Sequence, residues 1–283
     1  VRMTVKSKWR NIKYNEQEVE FLSDQLNISK RLVKILINTG FSEDNYQEFD
    51  RFIQPKMHEI MCYEGVSSDQ HLSASIKRVK TAIKNKERVM VNGDPDADGI
   101  SGTSVIVAAL RYFGLEVDYD FPIRSKEGHG LQLRIIQEAV KKGIKLIVTT
   151  DCGTKDVEAV EYANENNIDV IITDHHILGK KIPNATAIIN PYLNTKKENK
   201  EFRYLSGSYV AFKWVNAIKE ALNEVFPKQV FESLIICASL GVISDRVSLK
   251  QPMNRAIVKL GIDYLNNTKD KGIKALKDIS LSS

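Results

Sequence analysis

Between residues 88 and 189, short apolar runs alternate with stretches of helical periodicity, and this feature restricts the fold more than any other. Val89-Met90-Val91, Leu146-Ile147-Val148 and Val170-Ile171-Ile172 have no polar alternation. A strand without a polar face has to be covered on both sides. The pattern predicts strands over 88–93, 116–121, 144–150, 169–173 and 187–189. Helices are predicted over 71–85, 101–113, 131–142 and 156–167. Strands spaced by helices of this length give a parallel, Rossmann-like α/β sheet with helices on both faces. After Asn190-Pro191 comes a polar loop, then helical pattern over 207–225, 229–240 and 253–265. Ahead of the alternation, residues 1–70 read as helical, with Ser29 as an N-cap and Thr39-Gly40 as a stop. This N-terminal part is expected to pack on the main body.

The apolar strands end in acids. The first runs into Asp94, followed at two-residue intervals by Asp96 and Asp98; the 144–150 strand runs into Asp151; the 169–173 strand runs into Asp174-His175-His176. In a parallel sheet all C-terminal strand ends lie on one edge, where open α/β sheets bind ligands. Any one aspartate there reads equally well as a turn residue or a helix cap, and Asp156 is expected to be such a cap. The coincidence of acids and imidazoles at three strand ends is harder to ascribe to packing. Carboxylates so close cannot all ionise without compensation. An oxygen-rich set with imidazoles suits Mn²⁺ or Mg²⁺, and two such ions form the usual clamp for phosphoester hydrolysis.

Composition sets the outer limits. The 283 residues fit one large α/β domain with additions, or two modest ones. No run approaches a membrane span and the start lacks a signal-peptide pattern. The three cysteines, Cys62, Cys152 and Cys237, are isolated, which fits a reducing, cytoplasmic setting. The net charge of +5 is compatible with a polyanionic partner. Part of the excess lies in Lys77, Arg78, Lys80, Lys84, Lys86 and Arg88, a cluster that also reads as a solvated helix face.

DPDADG, TTDCGT and TDHH, in this order, resemble the motifs of the DHH phosphoesterase superfamily, and within it most nearly the RecJ family of single-strand-specific 5′→3′ DNA exonucleases. KSKWR, LVKILINTGF, EFDRFIQPKMHEI, FPIRSKEGHGL, IINPYL, LSGSYVAFKW and LGVISDRVSL extend the resemblance over nearly the whole chain. The resemblance implies three parts: a helical segment over 1–70, a DHH domain over 71–265, and over 266–283 the start of a helix connecting to a second domain. It implies two ions, Mn²⁺ or Mg²⁺. Asp94, Asp96 and Asp151 would hold one; Asp98, Asp151, His175 and Asp245 the other, with Asp151 bridging. Asp245 is nominated by the resemblance alone. Catalytic roles fall to Asp98, Asp151 and His176, the last facing the scissile phosphate. Substrate contacts fall to Arg124, His129, His176 and Arg246. Arg124 reads equally as a loop salt bridge, and Arg246 slightly better as an ion-pair partner than as a phosphate contact. The chain departs from the family pattern at Pro122-Ile123-Arg124, Gly128-His129-Gly130, Ser206-Gly207-Ser208-Tyr209 and Ser244-Asp245-Arg246.

The partner so implied is single-stranded DNA, in repair or recombination, and other repair or replication proteins are admitted; no membrane is. Tyr204 and Tyr209 would offer rings for base stacking or belong to the core. Two rivals stay open: a DHH enzyme for short oligoribonucleotides or cyclic dinucleotides, and a non-catalytic replication scaffold. The presence of every ligand position argues against the scaffold. A dinucleotide-binding protein is disfavoured because Gly99 and Gly102 do not form GxGxxG.

Overall fold

The computed structural model describes residues 12–281. KSKWR, with Trp9, lies outside them. The chain divides into two compact units, one ending at Pro55 and the other beginning at Lys56.

The first unit contains α1 (Glu16–Leu26), α2 (Lys30–Ile37) and α3 (Tyr46–Ile53). Asn15 and Ser29 cap α1 and α2 by accepting backbone N–H bonds, which satisfies donors that a helix start leaves free. Val19, Leu22, Val33 and Phe49 form its small core.

The second unit begins with α4 (Met57–Met61) and α5 (Asp69–Asn85). It continues with β1 (Arg88–Gly93), α6 (Ala97–Tyr112), β2 (Glu116–Asp120), α7 (Arg124–Glu127), α8 (Leu133–Lys141), β3 (Leu146–Thr150), α9 (Val157–Glu165), β4 (Asp169–Thr173) and β5 (Ala187–Ile189). Then follow α10 (Gly207–Leu222), α11 (Lys228–Ser244), α12 (Pro252–Asn267) and α13 (Lys271–Leu281). The strands form one all-parallel sheet in the order β2-β1-β3-β4-β5. Among the described residues, no helix is long and apolar enough to cross a membrane.

Both faces of the sheet are buried, as the unbroken apolar strands require. Val89, Val91, Val148 and Ile171 pack with residues of α6, α10 and α11. Met90, Ile147, Val170 and Ile172 pack on the other face with residues of α8 and α9. Each such side chain contributes about 1.5–3 kcal/mol by leaving water.

The boundaries move where a polar side chain decides them. Helix α6 starts at Ala97 rather than at 101, because Asp96 caps it: its Oδ1 accepts from the N–H groups of Asp98 and Gly99, both at 3.0 Å. Helix α11 runs to Ser244 rather than to 240, which puts Asp245 at its C-terminal cap. Part of the basic cluster is neutralised internally. Arg78 pairs with Glu87 and Asp169, and Arg88 with Glu116 and Asp118.

Candidate metal centre

The strand-end acids are set in a row by backbone bonds. Asp94 N–H donates to Thr150 O (3.2 Å), Asp151 N–H to Thr173 O (2.9 Å) and Asp174 N–H to Ile189 O (2.9 Å). Each strand thus anchors its terminal acid on the last residue of its neighbour. Asp151 has φ +60°, a left-handed conformation that Asp tolerates better than most residues.

Donor atoms of Asp94, Asp96 and Asp151 lie within 4.8 Å of one another. So do those of Asp98, His175 and Asp245, and those of Asp151, His175 and His176. These residues come from three strand ends and from the end of α11, which no spacing in the sequence points to. Asp94, Asp96, Asp151, His175, His176 and Asp245 line one cleft with a cavity volume of about 360 Å³. Asp98 is buried beneath it. Its carboxylate accepts from the N–H groups of Gly207 (2.7 Å) and Ser208 (3.1 Å), at the start of α10.

Backbone carbonyls and carboxylates fix the imidazoles. His175 Nδ1–H donates to Leu205 O (2.9 Å), since a carbonyl can only accept. In the neutral ring, Nε2 is therefore the free donor atom; it lies 3.1 Å from Asp151 Oδ1. His176 Nδ1–H donates to Asp174 Oδ1 (2.8 Å). Asp174 also accepts from the N–H groups of His175, His176 and Thr154. Asp174 was given no role in the sequence, although it stands two residues before His176; it orients that ring.

The electrostatics report crowding. Burial, with Asp98 and Asp174 nearby, pushes Asp151 up to about 7 despite His175. Burial alone would depress His175, but the hydrogen bond and charge of Asp151 outweigh it and hold the ring at about 9. Burial would raise Asp174, but His176 and the Thr154 N–H hold it down at about 2. Burial raises Asp245.

Two further features make the donor set fit divalent cations. Asp151 Oδ1 is buried, and among the described residues the side-chain group near enough to donate to it is His175 Nε2 at 3.1 Å, which carries a proton only while the ring is charged. Gly207 leaves room above Asp151 Oδ1, since a Cβ there would sit 2.5 Å from that atom. Once His175 gives up that proton to serve as a ligand, Oδ1 is a buried carboxylate oxygen without a donor, which costs about 1–3 kcal/mol or more unless a cation answers it. Such an oxygen-rich, imidazole-containing set is what Mn²⁺ or Mg²⁺ accepts.

Other sequence expectations change. Asp156 stands at the cap position of α9 but does not cap it; its Oδ2 accepts from Leu131 N–H (2.6 Å) across the cleft. His129 is half exposed and its Nδ1–H donates to Asp94 Oδ1 (3.1 Å). Arg124 and Arg246 form no ion pair among the described residues, and neither lines the cleft. The partner of Glu127 is Arg134. Tyr209 is fully buried, its hydroxyl donating to backbone carbonyls, so it offers no stacking surface; Tyr204 is 52% exposed.

Residues 88–238 match the DHH family, N-terminal domain. The chain is 32% identical over 275 residues to the single-stranded-DNA-specific exonuclease RecJ of Bacillus subtilis, covering 97% of this chain and 33% of that protein. It is 32% identical over 255 residues to RecJ of Escherichia coli, covering 81% and 43%. Among solved structures, an exonuclease RecJ bound to manganese superposes with a TM-score of 0.64 at 30% identity, covering 74% of this chain and 51% of that one. Thermus thermophilus RecJ in complex with Mn²⁺ shares the fold, with a TM-score of 0.69 at 22% identity and coverage of 94% and 36%. The chain thus spans about a third of the length of the Bacillus relative.

Proposed function

This chain belongs to the DHH family, and from that premise we propose that it is the catalytic core of a two-metal phosphodiesterase that hydrolyses single-stranded DNA from the 5′ end, in the cytoplasm, during repair or recombination. The observation that carries this reading is the convergence of Asp94, Asp96, Asp98, Asp151, His175 and Asp245 in donor groups no wider than 4.8 Å. The relatives, named single-stranded-DNA-specific exonucleases, supply the substrate class, and a related structure bound to manganese supports the choice of Mn²⁺ over a structural metal.

In this reading Asp94, Asp96 and Asp151 would hold one ion and Asp98, Asp151, His175 and Asp245 the other. Bound there, the two ions supply Lewis-acid polarisation of the phosphoryl oxygens and a water of lowered pKa. The chain's own residues do the rest. Asp151 would belong to both ligand groups. His175 keeps Nε2 free because Leu205 takes its other proton, the outer-sphere arrangement that orients metal-bound imidazoles. His176 donates Nδ1–H to Asp174, whose hydrogen bond favours the charged ring, and in that form its Nε2–H can donate to a phosphoryl oxygen. His129 stands beside Asp94 at the cleft wall. Arg124 and Arg246, unpaired and outside the lining, would meet phosphates away from the scissile one.

The test is degradation of 5′-labelled and 3′-labelled single-stranded DNA with Mn²⁺, Mg²⁺ or EDTA, beside Asp151→Ala. Metal-dependent loss from the 5′ end that the variant lacks is expected. Release from the 3′ end would overturn the polarity, and indifference to EDTA the two-metal mechanism.

A further inference from the structure

The catalytic cleft has a side cavity of about 380 Å³, between the starts of α8 and α9. The two spaces share His129, Lys155 and Asp156. Every other charged residue lining the cleft is an acid or a histidine, so Lys155 is its one lysine or arginine. Lys155 makes no ion pair or hydrogen bond among the described residues.

The loop at this junction is built rather than loose. Gly128 and Gly130 have φ +80° and +81°. Asp156 takes Leu131 N–H at 2.6 Å, and Gln132 Nε2 donates to His129 O at 2.6 Å. A Cβ at Gly130 would fall 2.5 Å from the Asp156 carboxylate, so the close approach requires glycine. Because Asp156 serves Leu131, α9 starts without a side-chain cap, and its first N–H groups are left to whatever enters.

Past the junction the lining is mixed: Leu131, Leu133, Val157 and Ala159 are apolar, Gln132 offers an amide and Glu158 a carboxylate. A lone cation at the neck, an uncapped helix start and walls that mix apolar side chains with hydrogen-bonding groups complement one kind of ligand: a phosphate joined to a nucleoside. The volume is of the size that small-ligand sites have, about 300–1,000 Å³.

We propose that this side cavity is a nucleotide subsite, taking the unit of the single strand next to the scissile phosphodiester, with Lys155 on that unit's phosphate and Leu133 against its base or sugar. The assignment rests on the phosphodiesterase reading above. It makes Lys155 and Leu133 determinants of preference for a nucleotide chain over a bare diester.

The test compares a short single-stranded oligodeoxynucleotide with bis(p-nitrophenyl) phosphate, a diester without nucleosides, using the Mn²⁺-loaded protein. Lys155→Ala and Leu133→Asp change exposed or half-exposed side chains. Each is expected to lower the ratio of kcat/KM for the oligonucleotide to that for the small diester about tenfold, mainly through KM. Lys155→Arg restores the ratio, and Lys155→Ala flattens the salt dependence of oligonucleotide binding by a log–log slope of about 0.7. A ratio that stays within twofold in both variants overturns the subsite. Failure of the function reading shows separately, as wild type leaving both substrates intact. The subsite is then read from a titration with thymidine 5′-monophosphate, where amide shifts confined to residues 129–133 and 155–159 support it and their absence overturns it.

Discussion

Two buried polar clusters sit on either side of helix α10, and they are built on opposite rules. At its N-terminus, Asp98 and Asp151 belong to a crowd of acids in which Asp151 Oδ1 has a side-chain donor only while His175 is protonated. Along its body, Lys213 is fully buried, yet its ammonium donates to Glu59 O at 2.7 Å and lies 3.6 Å from the sulfurs of Cys62 and Met253. It also stands over the rings of Tyr209 and Phe202, 4.8 and 5.4 Å from their centroids. Burial still pushes Lys213 down to about 8. The second cluster answers its own charge and ties α4, α10 and α12 together. The first leaves charge for an outside partner to answer. A buried polar group satisfied from within is scaffolding; one left wanting marks a site.

The largest break in this contrast comes from Asp151→Asn. Asn accepts the left-handed backbone at this position, so the fold is kept. Hydrolysis should fall about 10³-fold or more, because polarisation by bound metal supplies several kcal/mol to the transition state. The same change should leave the thermal midpoint of the metal-free protein unchanged or higher, since it removes one of several repelling carboxylates. A drop of several degrees would contradict the account of the cluster as strained.

Lys213→Ala should behave in reverse. It leaves the Glu59 carbonyl and a cavity behind, at a cost of about 3 kcal/mol in urea unfolding. Manganese stoichiometry at saturation should stay that of wild type. A stability change under 1 kcal/mol would sink the scaffolding role.

Gly207→Ala tests whether the room above Asp151 matters. The added methyl must displace that carboxylate, and manganese affinity measured by calorimetry should fall about 10–100-fold, the range for disturbed ligand orientation. Unaltered affinity would show that the site tolerates the shift.

The smallest effect per step is that of pH. Metal must displace protons from His175, held at about 9, and from Asp151, pushed up to about 7. Both values are raised, so protons compete harder as pH falls. Apparent manganese affinity should therefore drop about tenfold per unit below pH 9 and more steeply below 7. In Asp151→Asn the extra steepness below 7 should vanish; if it persists, another group is titrating.

The sheet and the acids on its edge were readable in the chain because a parallel strand buried on both faces has no polar residue until it ends. β1, β3, β4 and β5 fall where apolar runs stop at Asp94, Asp151, Asp174 and Asn190. Asp245 was not readable from spacing, because the periodicity of α11 carries no mark of which residue follows its last turn toward the sheet edge. Nor were the supports: Leu205 O, the Gly207 and Ser208 N–H groups, and Asp156 reaching Leu131. These are backbone groups or cross-loop bonds that residue type does not announce. Asp156 shows the difficulty well, since its place at the start of α9 predicts a cap and only the nearness of the glycine loop redirects it.

Asp94 and Asp245 stand 151 positions apart in the chain, and both line the same cleft. A polypeptide emerging from the ribosome therefore carries the first acids of this cluster long before the last. Until α11 has been made and has docked, the early carboxylates are an incomplete set that repel one another. Assembly of the cluster is in this way deferred to late in synthesis by topology, and a chain cut short before Asp245 would lack one of the acids that converge at the sheet edge.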